Sequence, residues 1–118
     1  MITLYGIPNC DTVKKARGWL NERGIAHQFH DFKKQGVSDV TLDRWITAVG
    51  WEPLLNRKGT TWRGLDDASR AAVTDASAAR DLMQRHTSLI KRPVVEWAEQ
   101  GISVGFSADE WSERASKR

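Results

Sequence analysis

A strand, helix and strand succeed one another in the first 33 residues, and this pattern constrains the fold more than any other feature of the chain. Residues 1–6 alternate and are rich in β-prone residue types, and residues 25–32 alternate again. Between Asp11 and Arg23, apolar residues recur at helical spacing: Val13, Ala16, Trp19 and Leu20. Because strands joined through a helix lie parallel with a right-handed crossover, we predict a βαβ unit here.

The rest of the chain changes character twice. Residues 34–88 show helical periodicity without strand patterning, with a cap at Ser38 or Asp39, a turn-rich basic segment over 51–67, and a helix break near 74–77. Residues 89–118 contain two short β-prone runs joined by a hairpin signal, and then a helix opened by a capping box from Ser107 to Glu110. The order predicts an α/β, thioredoxin-like fold in one domain, with its core at 1–33 and 89–118 and a helical insertion at 34–88.

Composition bounds the class of protein. The chain has 118 residues, 40% hydrophobic and 28% charged, which suits one globular domain. A net charge of +3, to which the tail "SERASKR" contributes, gives little support for nucleic-acid binding. The start "MITLYG" resembles no signal peptide, and no apolar run reaches the roughly 20 residues that span a bilayer. We therefore expect a cytoplasmic monomer that binds neither membrane nor nucleic acid.

A metal site is not expected from this residue set. One cysteine and three scattered histidines are too few for a structural zinc site, and a single cysteine excludes an internal disulfide. His27 and His30 lie three residues apart on a predicted strand, so their side chains point to opposite faces. We predict no bound metal.

Cys10, the single thiol, lies on the turn that opens the first helix. A helix start presents unpaired N–H groups and the positive end of the helix dipole, which stabilise a thiolate and lower its pKa. Lys14 and Lys15 are expected to strengthen this effect, and Asp11 to oppose it. An inert, buried cysteine is the alternative. In a C-x-x-C pattern that starts at Cys10, Val13 occupies the place of the second cysteine. An oxidised Cys10 therefore needs an external thiol to release it, and glutathione is the obvious candidate.

A second informative stretch is "LIKRPVV". Pro93 suits the first position of a strand, and thioredoxin-like folds place a cis-proline facing the active thiol at this point. Arg92 would then lie beside Cys10 and hold an oxyanion or a peptide carboxylate with its planar fork. The alternative is that Lys91 and Arg92 are solvated surface charges.

Two further segments are candidates for binding anions. The loop "NRKGTTWRG" contains Arg57 and Arg63, which would close over an anionic substrate, and Trp62, the only tryptophan we consider for a site; the others are expected to pack in the core. Gly105 and Ser107 precede the last helix, at the corner where glutaredoxin-type domains receive the γ-glutamyl carboxylate of glutathione. Solvated loop charges and simple helix capping are the respective alternatives.

These residues together resemble the arsenate reductase (ArsC) family, which uses glutathione and glutaredoxin, with its relatives the Spx-type regulators and the YffB-like proteins. The resemblance covers nearly the whole chain and is closest to the YffB-like branch, through "NCDTVKKA", "GTTWR" and "IKRP". It implies a reactive Cys10 and a ligand-binding Arg92, the latter matching one of three arginines that hold the oxyanion in arsenate reductases. Arg57 matches a second with a one-residue offset, Phe106 stands at the third, and Gly6 stands near an assisting histidine.

Three functions are therefore open. The first is a glutathione-dependent thiol oxidoreductase with Cys10 as the catalytic residue and with glutathione or a glutathionylated or oxyanion substrate bound by these residues: Asn9, Thr12, Arg57, Arg63, Arg92, Pro93, Gly105 and Ser107. The second is an Spx-type transcriptional regulator that binds RNA polymerase. The third is a true arsenate reductase, for which glutaredoxin would be a partner.

Overall fold

A four-stranded mixed sheet is built from the two ends of the chain. In the computed structural model, which describes residues 1–116, the strands are β1 (Ile2–Gly6), β2 (His27–Asp31), β3 (Val94–Glu96) and β4 (Ile102–Val104). Their order across the sheet is β2-β1-β3-β4. β1 and β2 pair in parallel, while β1 with β3 and β3 with β4 pair antiparallel. The predicted thioredoxin-like fold is confirmed.

The chain divides into two units. The sheet unit comprises Met1–Gln35 and the chain from Arg92 on, and the helical unit comprises Gly36–Lys91. The sheet unit contains three helices: α1 (Asp11–Glu22), α2 (Phe32–Gln35) and α8 (Ala108–Ser116). The helical unit contains α3 (Asp39–Val49), α4 (Trp51–Leu54), α5 (Thr60–Arg63), α6 (Asp67–Ala71) and α7 (Ala76–Arg85). Short 3-10 helices occupy Thr87–Leu89 and Ala98–Gln100.

The core of the sheet unit lies between the sheet, α1 and α8. It is formed by buried side chains that alternate along the strands and recur on one helix stripe: Ile2, Leu4, Val13, Ala16, Trp19, Leu20, Ile25, Val95, Trp97 and Trp111. The ring of Trp111 makes edge-on contacts with Trp19 and Trp97, at centroid distances of 5.7 and 4.9 Å. Such pairs add about 0.5–1.5 kcal/mol each beyond their buried area.

The helical unit follows the predicted capping signals. Ser38 Oγ accepts a hydrogen bond from the Thr41 N–H at 3.2 Å and so caps α3, which ends at Gly50. Asp75 caps α7 through the Ala78 N–H at 2.9 Å, and this new start accounts for the helix break predicted near 74–77. None of the helices described, all within residues 1–116, is long and apolar enough to cross a membrane.

Two local predictions need correction. The strand predicted over residues 25–32 is limited to β2, because Asp31 Oδ1 accepts hydrogen bonds from the Lys33 and Lys34 N–H groups at 3.1 and 3.2 Å and starts α2. The segment 51–67 contains the short helices α4 and α5 as well as turns. Both differences come from helices of only four residues, which are too short for a periodic pattern to reveal.

Gly6, the last residue of β1, is in close contact with α1. A Cβ built at Gly6 would lie 2.8 Å from Val13 Cγ2 and 3.3 Å from Cγ1, closer than van der Waals contact permits. Val13 is β-branched and fully buried, so it has little freedom to move aside. Glycine at this position therefore sets how closely the start of α1 approaches the sheet.

We predict that Gly6→Ala destabilises the protein by about 1–3 kcal/mol, the usual cost of overpacking a core. Urea denaturation followed by circular dichroism measures the change. Gly18→Ala is the matched control, because no atom lies within 4 Å of a Cβ at this position of α1. That change should stabilise the protein by about 0.5–1 kcal/mol through helix propensity. Equal stability of Gly6→Ala and wild type would contradict the close contact.

Candidate active site

Cys10 occupies the N-cap position of α1, immediately after the turn that leaves β1. Its backbone is extended, with φ −133° and ψ 124°, and its carbonyl oxygen accepts the Lys14 N–H at 2.9 Å. The side chain is half-buried and packs against the core of the sheet unit. Since an N-cap side chain faces the free N–H groups of the first turn, the chain places its one thiol where a negative charge is stabilised.

Opposing influences act on the Cys10 thiol, and their sum lowers its pKa below the ordinary value. Partial burial is the largest of them and raises the pKa, because it disfavours the thiolate. The Val13 N–H, the hydrogen bond and charge of Arg92, and the Thr12 N–H together outweigh it. The Cys10 side chain makes no capping hydrogen bond in the structure. The thiol is therefore half-buried, and its lowered pKa nevertheless increases the fraction of thiolate at a given pH.

Lys14 and Lys15 are exposed on α1. The groups that act on the thiol pKa do not include either lysine, nor Asp11. The sequence suggested these charges because they lie within one helical turn of Cys10, but the effective cation comes from Arg92, 82 positions later in the chain. Neither lysine is therefore assigned an effect on the pKa of Cys10.

Arg92 and Pro93 lie beside the thiol within the sheet unit. The Arg92–Pro93 peptide bond is cis, Pro93 is buried, and Arg92 is half-buried. β3 begins at the next residue, Val94, which pairs with Tyr5 of β1. This pairing carries Arg92 to the end of β1 from which the chain turns to Cys10. There the Arg92 guanidinium lowers the pKa of the Cys10 thiol by hydrogen bonding and by its charge.

Gly105 and Ser107 follow β4 at the end of the sheet where Pro93 lies. The Gly105 N–H donates to the Pro93 carbonyl oxygen at 2.8 Å, so this amide is already engaged. Ser107 Oγ accepts the Glu110 N–H at 3.3 Å, as a capping residue does. Asp109 and Glu110 in the first turn of α8 make this helix start less favourable for an anion. The geometry supports capping here, and a ligand role for Ser107 would use its free hydroxyl proton.

Arg57 belongs to the helical unit, where two tryptophans flank it. The guanidinium carbon lies 5.7 Å from the ring centroid of Trp51 and 5.8 Å from that of Trp62. These are cation–π distances, and they hold the side chain without occupying its N–H donors. Arg57 is itself exposed, so those donors are accessible.

Arg63 has a different environment in the same unit. Its guanidinium donates to the Lys58 carbonyl oxygen at 2.8 Å and to the Gly59 carbonyl oxygen at 3.4 Å. Arg70, which the sequence did not single out, donates to the carbonyl oxygens of Trp62, Arg63 and Leu65. These two arginines hold the loop that presents Arg57. The contact of Arg63 with Gly59 had one signal in the sequence: the two residues lie four positions apart, which matches one helical turn.

Phe106 stands where the resemblance to arsenate reductases leads one to expect an arginine. Its ring contacts Trp111 edge-on, at a centroid distance of 4.7 Å, and it packs against the core of the sheet unit. Residues 1–116 contain no group of three or more His, Cys, Asp or Glu side chains arranged to hold a metal ion. His27 Nδ1 lies 2.9 Å from the Ile25 carbonyl oxygen, and the His30 ring packs on Tyr5 at 4.7 Å.

A cysteine at a helix start beside a cis-proline, on a sheet of this strand order, defines a thioredoxin-like protein with a single-thiol site. The family model for ArsC matches residues 5–114, and the chain belongs to the ArsC family.

Individual relatives agree with this assignment. The solved structure of the YFFB protein has a TM-score of 0.91 and 45% sequence identity, covering 97% of this chain and 98% of the other. An uncharacterized protein of Haemophilus influenzae is 39% identical over 111 residues, 94% of this chain and 96% of that one. The global transcriptional regulator Spx of Streptococcus mutans is 27% identical over 113 residues, which cover 93% of this chain and 80% of Spx. The resemblance inferred from the sequence motifs is confirmed.

We predict that Arg92→Gln raises the pKa of Cys10, because it removes the one side chain within residues 1–116 that is found to stabilise the thiolate. Iodoacetamide alkylation at neutral pH should become several-fold slower, and the pH midpoint of the rate should move upward. Lys14→Gln is the control: it removes one positive charge in the first turn of α1 from a residue that is not among the groups found to lower the pKa of Cys10, and it should leave the midpoint unchanged. An equal shift in both variants would mean that net charge, and not Arg92, sets the pKa.

Proposed function

We propose that this chain is a glutathione-dependent thiol oxidoreductase in which Cys10 is the only residue that exchanges disulfides. The observation that carries this proposal is a half-buried thiol whose pKa is lowered by the Val13 N–H and Arg92, in a chain with no second cysteine. A lowered pKa increases the thiolate fraction at neutral pH, and the thiolate is the attacking species. A cytoplasmic monomer suits this role, because glutathione keeps thiols reduced in that compartment.

The reaction has two exchange steps. In the first, the Cys10 thiolate attacks the glutathionyl sulfur of a mixed disulfide; a Cys10–glutathione disulfide forms, and the substrate thiolate leaves with the electron pair and takes a proton from water. In the second, the thiolate of a free glutathione attacks the glutathionyl sulfur on Cys10. Oxidised glutathione leaves, and the Cys10 thiolate is restored. Glutathione is the reductant, and the substrate disulfide is the oxidant.

The residues around the thiol take distinct roles in this scheme. Arg92 stabilises the leaving Cys10 thiolate in the second step and orients a carboxylate of glutathione, and the Thr12 N–H supports the same charge. Asn9, Pro93, Gly105 and Ser107 would surround the bound tripeptide. In the helical unit, Arg57 is the better candidate for a ligand because the donors of Arg63 are engaged with its own loop.

The test is intact-mass measurement after incubation with oxidised glutathione. Wild type should gain one glutathionyl group, which reduced glutathione removes, and Cys10→Ser should gain none. Arg92→Gln should form the adduct more slowly at neutral pH because its thiolate fraction is smaller. A wild-type protein that forms no adduct, with a thiol pKa at the ordinary value, would end this proposal.

A second variant tests whether the lack of an internal partner determines the dependence on glutathione. Val13→Cys introduces a C-x-x-C pair, and the smaller side chain fits the space that Val13 occupies beside Gly6. We predict that its glutathione adduct is short-lived, because the second thiol releases glutathione and forms an internal disulfide. Mass spectrometry after rapid acid quenching distinguishes the two species. A long-lived adduct like that of wild type would contradict this prediction.

The similarity to Spx favours a second candidate function, a regulator that binds RNA polymerase through its surface and needs no turnover. Pull-down with the polymerase α subunit separates the two, since binding that survives Cys10→Ser supports the regulator. For arsenate reduction, with glutaredoxin as partner, the packing of Phe106 on Trp111 argues against an arginine-lined oxyanion site. Complementation of an arsenate-sensitive cell tests that third function.

A further inference from the structure

The thiol has two flanks within the sheet unit. Because β1 lies between β2 and β3, the residues that follow β1 have the end of β2 on one side and the start of β3 on the other. Gly6 pairs with Asp31 on the first side, while Tyr5 pairs with Val94 on the second. The β3 flank carries Arg92, which the proposed function assigns to the glutathionyl group. Of the β2 flank, that function uses only Asn9, and Asp31, Lys33 and Lys34 have no role in it.

An open groove of about 520 Å³ occupies the β2 flank. Six residues line it: Ile7, Pro8, Asn9, Asp31, Lys33 and Lys34. Three of them form the turn that leads directly into Cys10, so a ligand in the groove lies against the segment that precedes the thiol. The half-buried Ile7 and the exposed Pro8 offer apolar surface, and the two lysines supply the charge.

The groove has a net positive charge that is not neutralised within the sheet unit. Lys33 and Lys34 are exposed, and in the part of the chain that the structure describes no salt bridge involves either ammonium group. Asp31 is the only acidic residue of the lining, and its Oδ1 accepts the N–H groups of Lys33 and Lys34 at the start of α2. The lining therefore contains two lysines without a salt bridge in the described chain and one carboxylate, one oxygen of which caps the start of α2.

We propose that this groove receives an acidic peptide segment around the modified cysteine of a glutathionylated protein. The inference rests on the proposed function, in which the substrate thiol leaves after Cys10 attacks the glutathionyl sulfur. With the glutathionyl group on the Arg92 flank, the leaving cysteine and its neighbouring residues occupy the β2 flank. Carboxylates of that segment pair with Lys33 and Lys34, while an apolar side chain packs on Ile7 and Pro8.

The test compares three disulfides of glutathione: an octapeptide with one cysteine flanked by glutamates, the same peptide with lysines, and 2-mercaptoethanol. We expect wild type to show a kcat/KM about three- to tenfold higher for the acidic than for the basic peptide, a range set by two exposed ion pairs. The preference should diminish at high ionic strength because exposed charges are screened.

Two double variants make the test specific. Lys33→Glu/Lys34→Glu should reverse the preference between the peptides, and Lys33→Arg/Lys34→Arg should retain it. Neither should alter turnover of the 2-mercaptoethanol disulfide. Equal kcat/KM for both peptides in wild type would overturn the inference. An increased KM for glutathione with the small disulfide in the glutamate variant would instead identify glutathione as the occupant, which also overturns it.

A binding measurement separates failure of this inference from failure of the proposed function. Absence of turnover with all three disulfides would reject the function alone. Titration of Cys10→Ser protein with the acidic peptide, in which serine replaces cysteine, then reports on the groove through the amide NMR signals of Asn9, Lys33 and Lys34. Shifts in these signals that the basic peptide does not produce support the groove. No shift with either peptide rejects it.

Discussion

The contact between Gly6 and Val13 is the constraint on which the site depends. Because Gly6 has no Cβ, Val13 packs against the end of β1, and this packing fixes where α1 begins relative to the sheet. Cys10 lies between these two residues as the N-cap of α1. Val13 also supplies the N–H that does most to stabilise the thiolate. One residue therefore serves both the core and the electrostatics of the thiol, so displacing its side chain would disturb both.

Burial and ionisation of Cys10 oppose each other. The side chain is half-buried because it packs against the core, and this burial is the largest single influence on its pKa, in the direction that disfavours the thiolate. The two N–H groups of the helix start and the guanidinium of Arg92 together reverse that effect. The alternatives of a buried cysteine and a reactive cysteine are thus compatible, since the chain buries the thiol and compensates for the cost.

Sequence patterns predicted most of the fold and only part of the candidate site. The helix predicted from Asp11 to Arg23 was correct to one residue at its end, and the parallel β1–β2 pair was confirmed, because long periodic segments carry strong signals. The helix α2 was missed because four residues carry no period, and with it the groove beside Lys33 and Lys34. The engagement of Arg63 with its own loop could not be predicted either. It depends on where a guanidinium points, and spacing alone does not determine that direction.

The other arginines that the structure describes in the sheet unit explain why so much depends on Arg92. Arg17 stacks on Phe29 at 4.2 Å, Arg23 stacks on Trp19 at 4.1 Å, and Arg114 pairs with Glu110 at 3.0 Å.

Position 106 adds no cation, because Phe106 packs on Trp111. Among the described residues of the sheet unit, Arg92 is thus the one arginine that acts at the thiol. A single guanidinium group suits one carboxylate, which it binds through two parallel hydrogen bonds. A compact oxyanion held from several sides would need more donors. Within the sheet unit, this distribution of cations favours a peptide-like ligand such as glutathione over an inorganic oxyanion.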